Sequence, residues 1–336
     1  MLSTSNTELS ELLAAALQQR QPMLEQAHQQ ALRLFNGYAE GAPDLLAEVY
    51  ATTLLLSGRH SNLAEARPLL SAAREFYLAQ LPWLTCVVEK YRSSQVEQER
   101  KGVISFGSQP ATAIAENGIQ YAVDLQLNQD SSFYLDTQNL RQWLAAHAAG
   151  KRVLNTFAYT GSLGIAPLAG GAAHVRQVDL NRTFLGLAHR SRALNNLDAE
   201  KMKLMPVDFF MAVGSLKREQ ILFDLVILDP PFFSSTERGR VNLNGETTRL
   251  INKVRPLIAD GGQLVVVNNA LFYSGQEFMQ ELELLCQGGY LALEETIAVP
   301  PDCTGFNADS ASPYPADPAP FNHPTKIAVL NVRRKA

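Results

Sequence analysis

Residues 153–164 constrain the fold more than any other stretch of this sequence, because they combine a buried strand, a glycine-bearing turn and the start of a helix. Val153 and Leu154 begin an apolar run behind a charged entrance. Gly161 and Gly164 lie where the backbone must turn sharply and let a ligand come close. A strand, a turn and a helix in this order open a nucleotide-type pocket in α/β folds.

The three-glycine pattern that seats a pyrophosphate is incomplete in this turn. Only the G-x-x-G part is present, as Gly161 and Gly164, and the bulky Tyr159 stands within the turn. A ligand with an adenosine but no pyrophosphate therefore suits the turn better, and S-adenosylmethionine (SAM) is such a ligand.

Downstream of this turn, strands and helices alternate to the end of the sequence. Strands are predicted at 153–157, 175–178, 202–206, 222–228, 263–267, 291–298 and 325–332. The alternation predicts an α/β fold, a Rossmann-like, doubly wound and mostly parallel seven-stranded sheet. Only a loop separates the last two strands, so we expect them to pair antiparallel at the sheet edge.

A smaller α+β region is predicted ahead of this sheet. The apolar spacing within 8–35 indicates two amphipathic helices with Pro22 between them, and 45–56 fits either a helix or two short strands. The pair Asn117-Gly118 predicts a β-hairpin. Further predicted elements are a helix at 63–81, a strand at 85–91, a charged loop at 93–102 and a helix at 137–148 that ends at Gly150. The predicted domains are a helical segment 1–35, an α+β domain 36–130 and a main domain 131–336.

Charge and cysteine usage narrow the class of protein. The formal net charge is −4, so any nucleic acid must be bound by a local basic patch. The three cysteines lie far apart, which supports neither a disulfide framework nor a zinc site, and the histidines lack metal-ligand spacing, so we expect no metal. The first ten residues lack the features of a signal peptide and no apolar run could span a membrane, so we expect a cytoplasmic protein without membrane contact.

Two carboxylates follow predicted strands at positions that suit an adenosine. Asp179 ends the second strand, about twenty residues after the glycine turn, where a carboxylate can bind ribose hydroxyls. Asp208 follows the third strand and suits the adenine amino group, with one phenylalanine of Phe209-Phe210 against the ring. For both residues, capping of the next helix is the alternative.

The segment Asp229-Pro-Pro-Phe232 is the most specific signal for chemistry, because it follows a buried strand at the edge where such sheets bind ligands. Pro230 and Pro231 remove two backbone donors and hold the chain extended, which leaves acceptors aimed at the pocket. Phe232 offers a flat face on which a planar base can stack. A proline-terminated strand with a core phenylalanine is the alternative.

Several of these segments match one family. The residues Asn155-Thr-Phe-Ala-Tyr-Thr-Gly-Ser-Leu-Gly164 follow the family's pattern N-x-F-x-Y-T-G-x-x-G. Asp229-Pro-Pro-x-Phe233 matches a second motif of the same family. Additional matches are Asp179, Asn195-Asn196, Asp208-Phe209, Phe133-Tyr-Leu-Asp136 with Arg141, and Arg33-Leu-Phe-Asn-Gly-Tyr-Ala-Glu-Gly-Ala-Pro43. On these motifs the chain resembles the SAM-dependent methyltransferases of the bacterial large-subunit ribosomal RNA family, which include cytosine-C5 and guanine-N7 enzymes.

The resemblance implies a SAM site and, for 45–56, strands. The cofactor-binding residues that it implies are Phe133, Asp136, Asn155, Phe157, Tyr159, Thr160, Gly161, Gly164, Asp179, Leu180, Asp208 and Phe209. The sequence departs from the family in three places: a PUA module is not found ahead of the α+β region, Gln129-Asp-Ser-Ser132 replaces K-T-G, and Asn268-Asn269 replaces the catalytic cysteine after the fifth strand.

The missing cysteine bears on the acceptor atom, because methylation of cytosine at C5 needs a thiolate that attacks C6. Only Cys303, in a long loop that could act as a lid, remains a candidate. A nitrogen acceptor is therefore favoured, with Asp229 and Asn268 orienting a base by hydrogen bonds. The predicted catalytic residues are Asp229, Pro230, Pro231, Phe232 and Asn268.

The expected substrate is a base in RNA, most specifically ribosomal RNA. A local basic rim supports this expectation, although a solvated helix face is the alternative reading of Arg238, Arg240, Arg249, Lys253 and Arg255. The rival functions are methylation of a small molecule or protein, and nucleotide binding without transfer. The oligomeric state is open, with a homodimer as one alternative.

Overall fold

The computed structural model describes residues 6–236, 239–242, 247–305 and 316–334, and the side chains of 7–232, 247–305 and 316–334. The chain divides into two compact units, each closed by a segment from the C-terminal part of the sequence. The first unit comprises Met1–Leu135 and Pro300–Pro313, and the second comprises Asp136–Val299 and Tyr314–Ala336. Residues 1–35 thus group with the α+β region instead of standing apart, and residues 300–313 join it.

The first unit is built on a five-stranded sheet with the order β1-β2-β3-β4-β5. Only the β3–β4 pair is parallel, because α2 crosses between these strands. The elements are α1 (Asn6–Arg20), β1 (Ala31–Asn36), β2 (Leu45–Tyr50), β3 (Thr53–Gly58), α2 (Leu63–Gln80), β4 (Cys86–Tyr91), α3 (Glu97–Lys101), β5 (Val103–Phe106), β6 (Ala113–Glu116) and β7 (Ile119–Ala122).

The sequence pattern predicted most helices and strands of this unit correctly. The β6–β7 hairpin is confirmed, and Asn117 and Gly118 in its turn have φ of +52° and +77°. The two strands that the family resemblance implies within 45–56 are also present as β2 and β3. The second helix predicted within 8–35 is wrong, because residues 31–36 form β1, which pairs antiparallel with β2. The loop expected at 93–102 contains the short helix α3.

The second unit contains the predicted seven-stranded sheet, with the order β10-β9-β8-β11-β14-β16-β15. Its strands are parallel except β16, which runs antiparallel to both of its neighbours, β14 and β15. The elements are α4 (Gln138–His147), β8 (Arg152–Thr156), α5 (Ser162–Ala169), β9 (His174–Val178), α6 (Arg182–Leu194), β10 (Met202–Met205), α7 (Phe209–Arg218), β11 (Phe223–Leu228), β12 (Phe233–Thr236), β13 (Gly239–Asn242), α8 (Thr247–Val254), β14 (Ile258–Asn268), α9 (Gly275–Cys286), β15 (Leu291–Thr296) and β16 (Lys326–Val332).

Alternation along the strands gives this sheet its two helical layers. Successive side chains of a strand point to opposite faces, so Val153 and Leu154 of β8 belong to different apolar clusters. One cluster joins the sheet to α7, α8 and α9, and the other joins it to α4 and α5. Within the described part of the chain, no helix is long and apolar enough to cross a membrane.

A buried ion pair connects the elements of the first unit. The Arg20 guanidinium, at the end of α1, donates two hydrogen bonds to the Glu40 carboxylate, at 2.7 and 3.0 Å. It also donates to the carbonyl oxygens of Ala16 and Asp302, at 3.0 and 2.9 Å. The side chains of Arg20 and Glu40 are 0% and 4% exposed. The pair therefore links α1, the turn after β1 and the short helix Pro301–Thr304.

Replacing Arg20 by Met should destabilise the first unit by about 3–5 kcal/mol, because the Glu40 carboxylate would stay buried without its partner. Urea unfolding followed by the fluorescence of Trp83 measures this, in a Trp143→Phe background that leaves Trp83 as the single reporter. The double variant Arg20→Met, Glu40→Gln should recover much of the loss, since it removes the unpaired charge. Equal unfolding midpoints for Arg20→Met and its background would contradict this account.

Candidate functional site

Most of the predicted site residues follow the strands of the second unit at one edge of its sheet. Parallel pairing of β8 with β9 and β11, and of β9 with β10, brings the carboxyl ends of these strands together. The strand order reverses next to β8, which is where open α/β sheets bind ligands. The segments that follow these four strands begin at Phe157, Asp179, Pro206 and Asp229.

The turn after β8 is strained and firmly held. Phe157 and Tyr159 have φ of +56° and +51°, which is uncommon for residues other than glycine and often marks functional sites. The amide of Ala158 donates to the carbonyl of Val178, and the amide of Tyr159 donates to the Asp179 carboxylate, both at 2.8 Å. The turn is therefore fixed against the end of β9.

The two glycines of this turn are required by packing within the protein. Gly161 has φ of +84°, which a side chain would strain. A Cβ on Gly161 would lie 2.4 Å from the Cβ of Ala188, and one on Gly164 would lie 2.3 Å from the Gln177 side chain. The hydrogen in place of a side chain at each glycine thus faces α6 or β9, and approach of a ligand to their backbone stays a prediction.

Asp179 is oriented by two backbone donors. Its Oδ2 accepts from the amide of Tyr159 and its Oδ1 accepts from the amide of Asn181, each at 2.8 Å. The alternative role, capping of α6, belongs to Asn181, whose side chain accepts from Thr183 and Phe184. Burial raises the pKa of Asp179, and its two hydrogen bonds oppose this shift. Each oxygen retains acceptor capacity for a ligand hydroxyl.

Asp208 and Phe209 both have structural roles after β10. The Asp208 Oδ1 accepts from the amides of Phe210 and Met211, at 2.8 and 3.3 Å, so Asp208 caps α7 as the alternative reading held. Phe209 is a core residue, and its ring stacks on Phe157 with centroids 4.6 Å apart. Phe209 therefore supports Phe157 from the core, and contact of a phenylalanine of this pair with a ligand stays a prediction.

Asn155 places an unsatisfied acceptor at the end of β8. Its amide nitrogen donates to Gln177 Oε1 at 3.2 Å, and Gln177 in turn reaches the sulfur of Met202. Asn155 is fully buried, and no donor within the described residues reaches its Oδ1. A buried acceptor without a donor is costly, so this oxygen suits a ligand that donates. Thr160, in the turn, is also buried, whereas Leu180 is exposed.

The carboxylate of Asp229, after β11, is the most perturbed acid of this edge. It is half-buried, and none of the described residues donates a hydrogen bond to it. Burial, and secondly the negative charge of Asp136, raise the pKa of Asp229 to about 7. Asp136 itself accepts a hydrogen bond from the hydroxyl of Thr325 at 2.7 Å. Pro230 is buried, whereas Phe232 keeps 44% of its surface exposed and can present a ring face.

Asn268 does not fit the role that its position after β14 suggested. Its side chain is fully buried, its amide nitrogen donates to the hydroxyl of Thr247 at 3.2 Å, and its oxygen accepts from the amide of Ala270 at 3.0 Å. The prediction that Asn268 orients a base is therefore revised, because both ends of the amide hold the protein together. Asn269 is exposed beside it.

The cysteines are unsuited to nucleophilic attack. Cys303 is fully buried in the helix Pro301–Thr304 of the first unit. This part of the expected lid is therefore a packed element. Residues 306–315 of the expected lid lie outside the described residues. Burial raises the pKa of the Cys86 and Cys286 thiols. A reactive thiol is typically exposed and has a lowered pKa, whereas Cys303 is fully buried and the pKa values of Cys86 and Cys286 are raised.

The structure describes Phe133 and part of the predicted basic rim. Phe133 belongs to the first unit, where its buried ring contacts Tyr121 with centroids 5.1 Å apart. Arg238 lies outside the described residues, as does the side chain of Arg240. On α8, Arg249 lies over the Phe210 ring and Lys253 is exposed, whereas the Arg255 guanidinium covers Tyr290. Four residues of this region carried no signal in the sequence pattern: Gln177, Thr247, Thr325 and Lys326.

The donor and acceptor chemistry of this edge suits SAM. Asp136, Asp179, Asp208 and Asp229 are all acids, and the unsatisfied oxygen of Asn155 is a further acceptor. A phosphate-bearing ligand would be repelled by such a set, whereas ribose hydroxyls, an adenine amino group and a sulfonium would be attracted. The residues present therefore fit a cationic nucleoside without phosphates.

Comparisons with known proteins agree with this chemistry. A family model described as S-adenosylmethionine-dependent methyltransferase matches residues 88–312, two thirds of the chain. Ribosomal RNA large subunit methyltransferase I of Aeromonas salmonicida is 31% identical over 227 residues, 67% of this chain and 57% of that protein. The YwbD protein of Bacillus subtilis, which also carries a large-subunit ribosomal RNA methyltransferase name, is 30% identical over 80% of this chain and 68% of its own length.

The match to solved structures concerns the fold. SMU.776, crystallised as a methyltransferase complexed with SAH, superposes with a TM-score of 0.85 at 23% identity, over 99% of this chain and 83% of that chain. The chain spans 57% and 68% of the lengths of the two curated relatives above.

Replacing Asp229 by Asn should stabilise the protein increasingly as the pH rises. Since the pKa of Asp229 is raised to about 7, the folded wild-type protein loses stability between the unfolded value near 4 and pH 7. The difference in unfolding free energy between Asp229→Asn and wild type should grow over this interval, by at most about 1.4 kcal/mol per pH unit, and level off above it. Denaturant unfolding between pH 4.5 and pH 8.5 measures the difference.

The matched control for this prediction is Asp198→Asn, since Asp198 is an exposed acid on the same unit. The difference from wild type should change more with pH for Asp229→Asn than for this control. A pH-independent difference for Asp229→Asn would mean that Asp229 has an ordinary pKa.

Proposed function

Because this chain belongs to the family of S-adenosylmethionine-dependent methyltransferases, we propose that it methylates a base in ribosomal RNA, at a nitrogen atom in preference to C5 of cytosine. SAM supplies an electrophilic methyl group. The work of the protein is then to hold the acceptor atom in line with that methyl group and to accept the proton that the acceptor loses.

The proposed cofactor contacts use the acceptors at the carboxyl edge. Asp179, held by two backbone amides, binds the ribose hydroxyls. The unsatisfied Oδ1 of Asn155 accepts from the polar end of the cofactor. Leu180 contributes an exposed apolar surface beside Asp179. Phe157, whose ring stacks on Phe209, stiffens the turn that follows β8.

Asp229-Pro-Pro-Phe232 is the observation that carries the proposed transfer. Phe232 stacks on the acceptor base, and the Asp229 carboxylate accepts a hydrogen bond from the amino or ring nitrogen. The N–CH₃ bond would form as the S–CH₃ bond of SAM breaks and S-adenosylhomocysteine leaves, and Asp229 would take the proton that the nitrogen loses. A pKa of about 7 suits this step, because a base works best when its pKa lies near the working pH.

The chemistry of the cysteines supports nitrogen over carbon. Transfer to cytosine C5 requires a thiolate in contact with the base. The strand β14 ends in Asn268-Asn269, and Cys303 is fully buried.

Ribosomal RNA is the proposed substrate because two relatives carry that name and because cations lie on α7 and α8. The exposed Lys217 and Lys253 lie close together. The pKa of Lys217 is lowered, mainly by its partial burial and secondly by the positive charge of Lys253. With the exposed Arg249, they form a patch that suits phosphate oxygens.

Replacing Asp179 by Ala should weaken SAM binding by about 1.5–3 kcal/mol, the range for a hydrogen bond to a charged group. Isothermal titration calorimetry with SAM measures the loss, and Asp198→Ala serves as the matched surface control. Unchanged affinity in a folded Asp179→Ala protein would remove Asp179 from the cofactor site.

Total RNA from a strain that lacks this protein should lose one methylated nucleoside, with the methyl group on nitrogen. Mass spectrometry of nucleosides identifies the missing product, and the purified protein with SAM should restore it on that RNA. Asp229→Ala should reduce turnover by about 10² or more, since the positioned acceptor contact is lost. Cys303→Ser should keep turnover close to wild type.

Two results would contradict the assignment in different ways. Loss of 5-methylcytidine, with inactivity of Cys303→Ser and a covalent adduct on 5-fluorocytosine RNA, would move the acceptor to carbon. Unchanged RNA nucleosides, together with SAM binding by the protein, would favour a small-molecule or protein acceptor.

A further inference from the structure

The loop that follows β14 presents two apolar side chains to solvent. Leu271 is 48% exposed and Phe272 is 68% exposed, the largest exposed fraction of any large apolar side chain among the described residues. The next residue, Tyr273, turns inward instead, and its hydroxyl donates to Glu281 at 2.9 Å. The segment 269–274 contains no charged residue.

This loop is held in place by a buried lysine. The Lys326 ammonium, on a side chain 1% exposed, donates to the carbonyl oxygens of Ala270, Tyr273 and Pro324, at 3.0, 2.9 and 2.6 Å. Burial lowers the pKa of Lys326 to about 8, so this arrangement has a cost in free energy. Two of the three bonds fix the backbone on either side of Phe272, which therefore projects from a rigid turn.

The loop lies at the same sheet edge as Asp229-Pro-Pro-Phe232. Strands β11 and β14 are neighbours, and Leu228, just before Asp229, pairs with Val266. Phe232 and Phe272 thus follow adjacent strand ends. Asp136 is also near both segments, because its charge acts on Asp229 and its carboxylate accepts a hydrogen bond from Thr325, which precedes Lys326 in the sequence.

The loop is hydrogen-bonded to a helix that carries exposed cations. The side chain of Asn268, at the start of the loop, donates to Thr247, the first residue of α8. The exposed cations Arg249 and Lys253 belong to that helix. An uncharged loop with an aromatic ring beside a cationic helix is the arrangement by which proteins bind a single nucleic acid strand, since bases stack on the ring and phosphates meet the cations.

We infer that Phe272 is a stacking residue for an unpaired base of the acceptor RNA, beside the base held at Asp229-Pro-Pro-Phe232. The inference rests on the proposed function, because it takes RNA as the substrate. Phe272 then positions the strand, and it acts on RNA binding without any part in cofactor binding.

Replacing Phe272 by Ala tests this role, with Leu284→Ala as the matched control, since Leu284 is 66% exposed on α9 of the same unit. The RNA is large-subunit ribosomal RNA, stripped of protein, from a strain that lacks this protein. Phe272→Ala should weaken its binding about 5- to 100-fold, as loss of one stacked ring does, and leave SAM affinity unchanged. Leu284→Ala should bind both as wild type does.

A spectroscopic measurement tests the stacking itself. Trp introduced by Phe272→Trp should lose fluorescence on addition of a single-stranded oligoribonucleotide, and much less on addition of an RNA duplex, whose bases are already stacked. Trp introduced by Leu284→Trp should respond to neither, and this variant corrects for the signal of Trp83 and Trp143.

The results separate this inference from the proposed function. Wild-type methylation of ribosomal RNA, with equal RNA affinity for Phe272→Ala and wild type and no quenching in Phe272→Trp, overturns the inference alone. A change of oligomeric state in Phe272→Ala with unchanged RNA binding also overturns it, in favour of a protein interface. Absence of methyl transfer to RNA by the wild-type protein overturns the proposed function, and the inference with it.

Discussion

Parallel pairing of β8 with β9 and β11 is the constraint on which the rest of the second unit depends. It brings the carboxyl ends of these strands to one edge, so that Asp179 and Asp229 face the same region although fifty residues separate them. The packing of α5 against β9 then fixes the turn at residues 157–161, between β8 and α5, because only glycine at position 164 leaves room for Gln177. The Tyr159 amide can therefore orient the Asp179 carboxylate.

Two features at the carboxyl edge of the sheet cost free energy of folding. Asp229 is held where burial and a second acid disfavour its charge, and Phe157 and Tyr159 adopt backbone conformations that most residues avoid. Such costs persist only where the surrounding structure enforces them. Here the core beneath the edge does so, through the stacking of Phe157 on Phe209 and the burial of Pro230.

The sheet and the placement of the motifs were predictable from sequence, because alternation of apolar residues reports burial directly. The errors arose where a local pattern had two solutions. Leu24, Ala27, Ala31 and Leu34 have helical spacing, yet pairing with β2 makes residues 31–36 a strand. Asn268 ends a strand as a ligand-binding residue would, but its amide is taken by Thr247 and Ala270. The coupling of Asp136 to Asp229 required tertiary structure, since no spacing connects them.

The return of residues 300–313 to the first unit has a consequence for biosynthesis. The carbonyl of Asp302 completes the shell around Arg20, and the carbonyl of Cys303 binds the side chain of Asn36. A ribosome makes these partners only after almost the entire second unit has been translated. Most of the second unit is therefore made before the first unit is complete, and residues 1–135 made alone would leave the Arg20 site without its final acceptor.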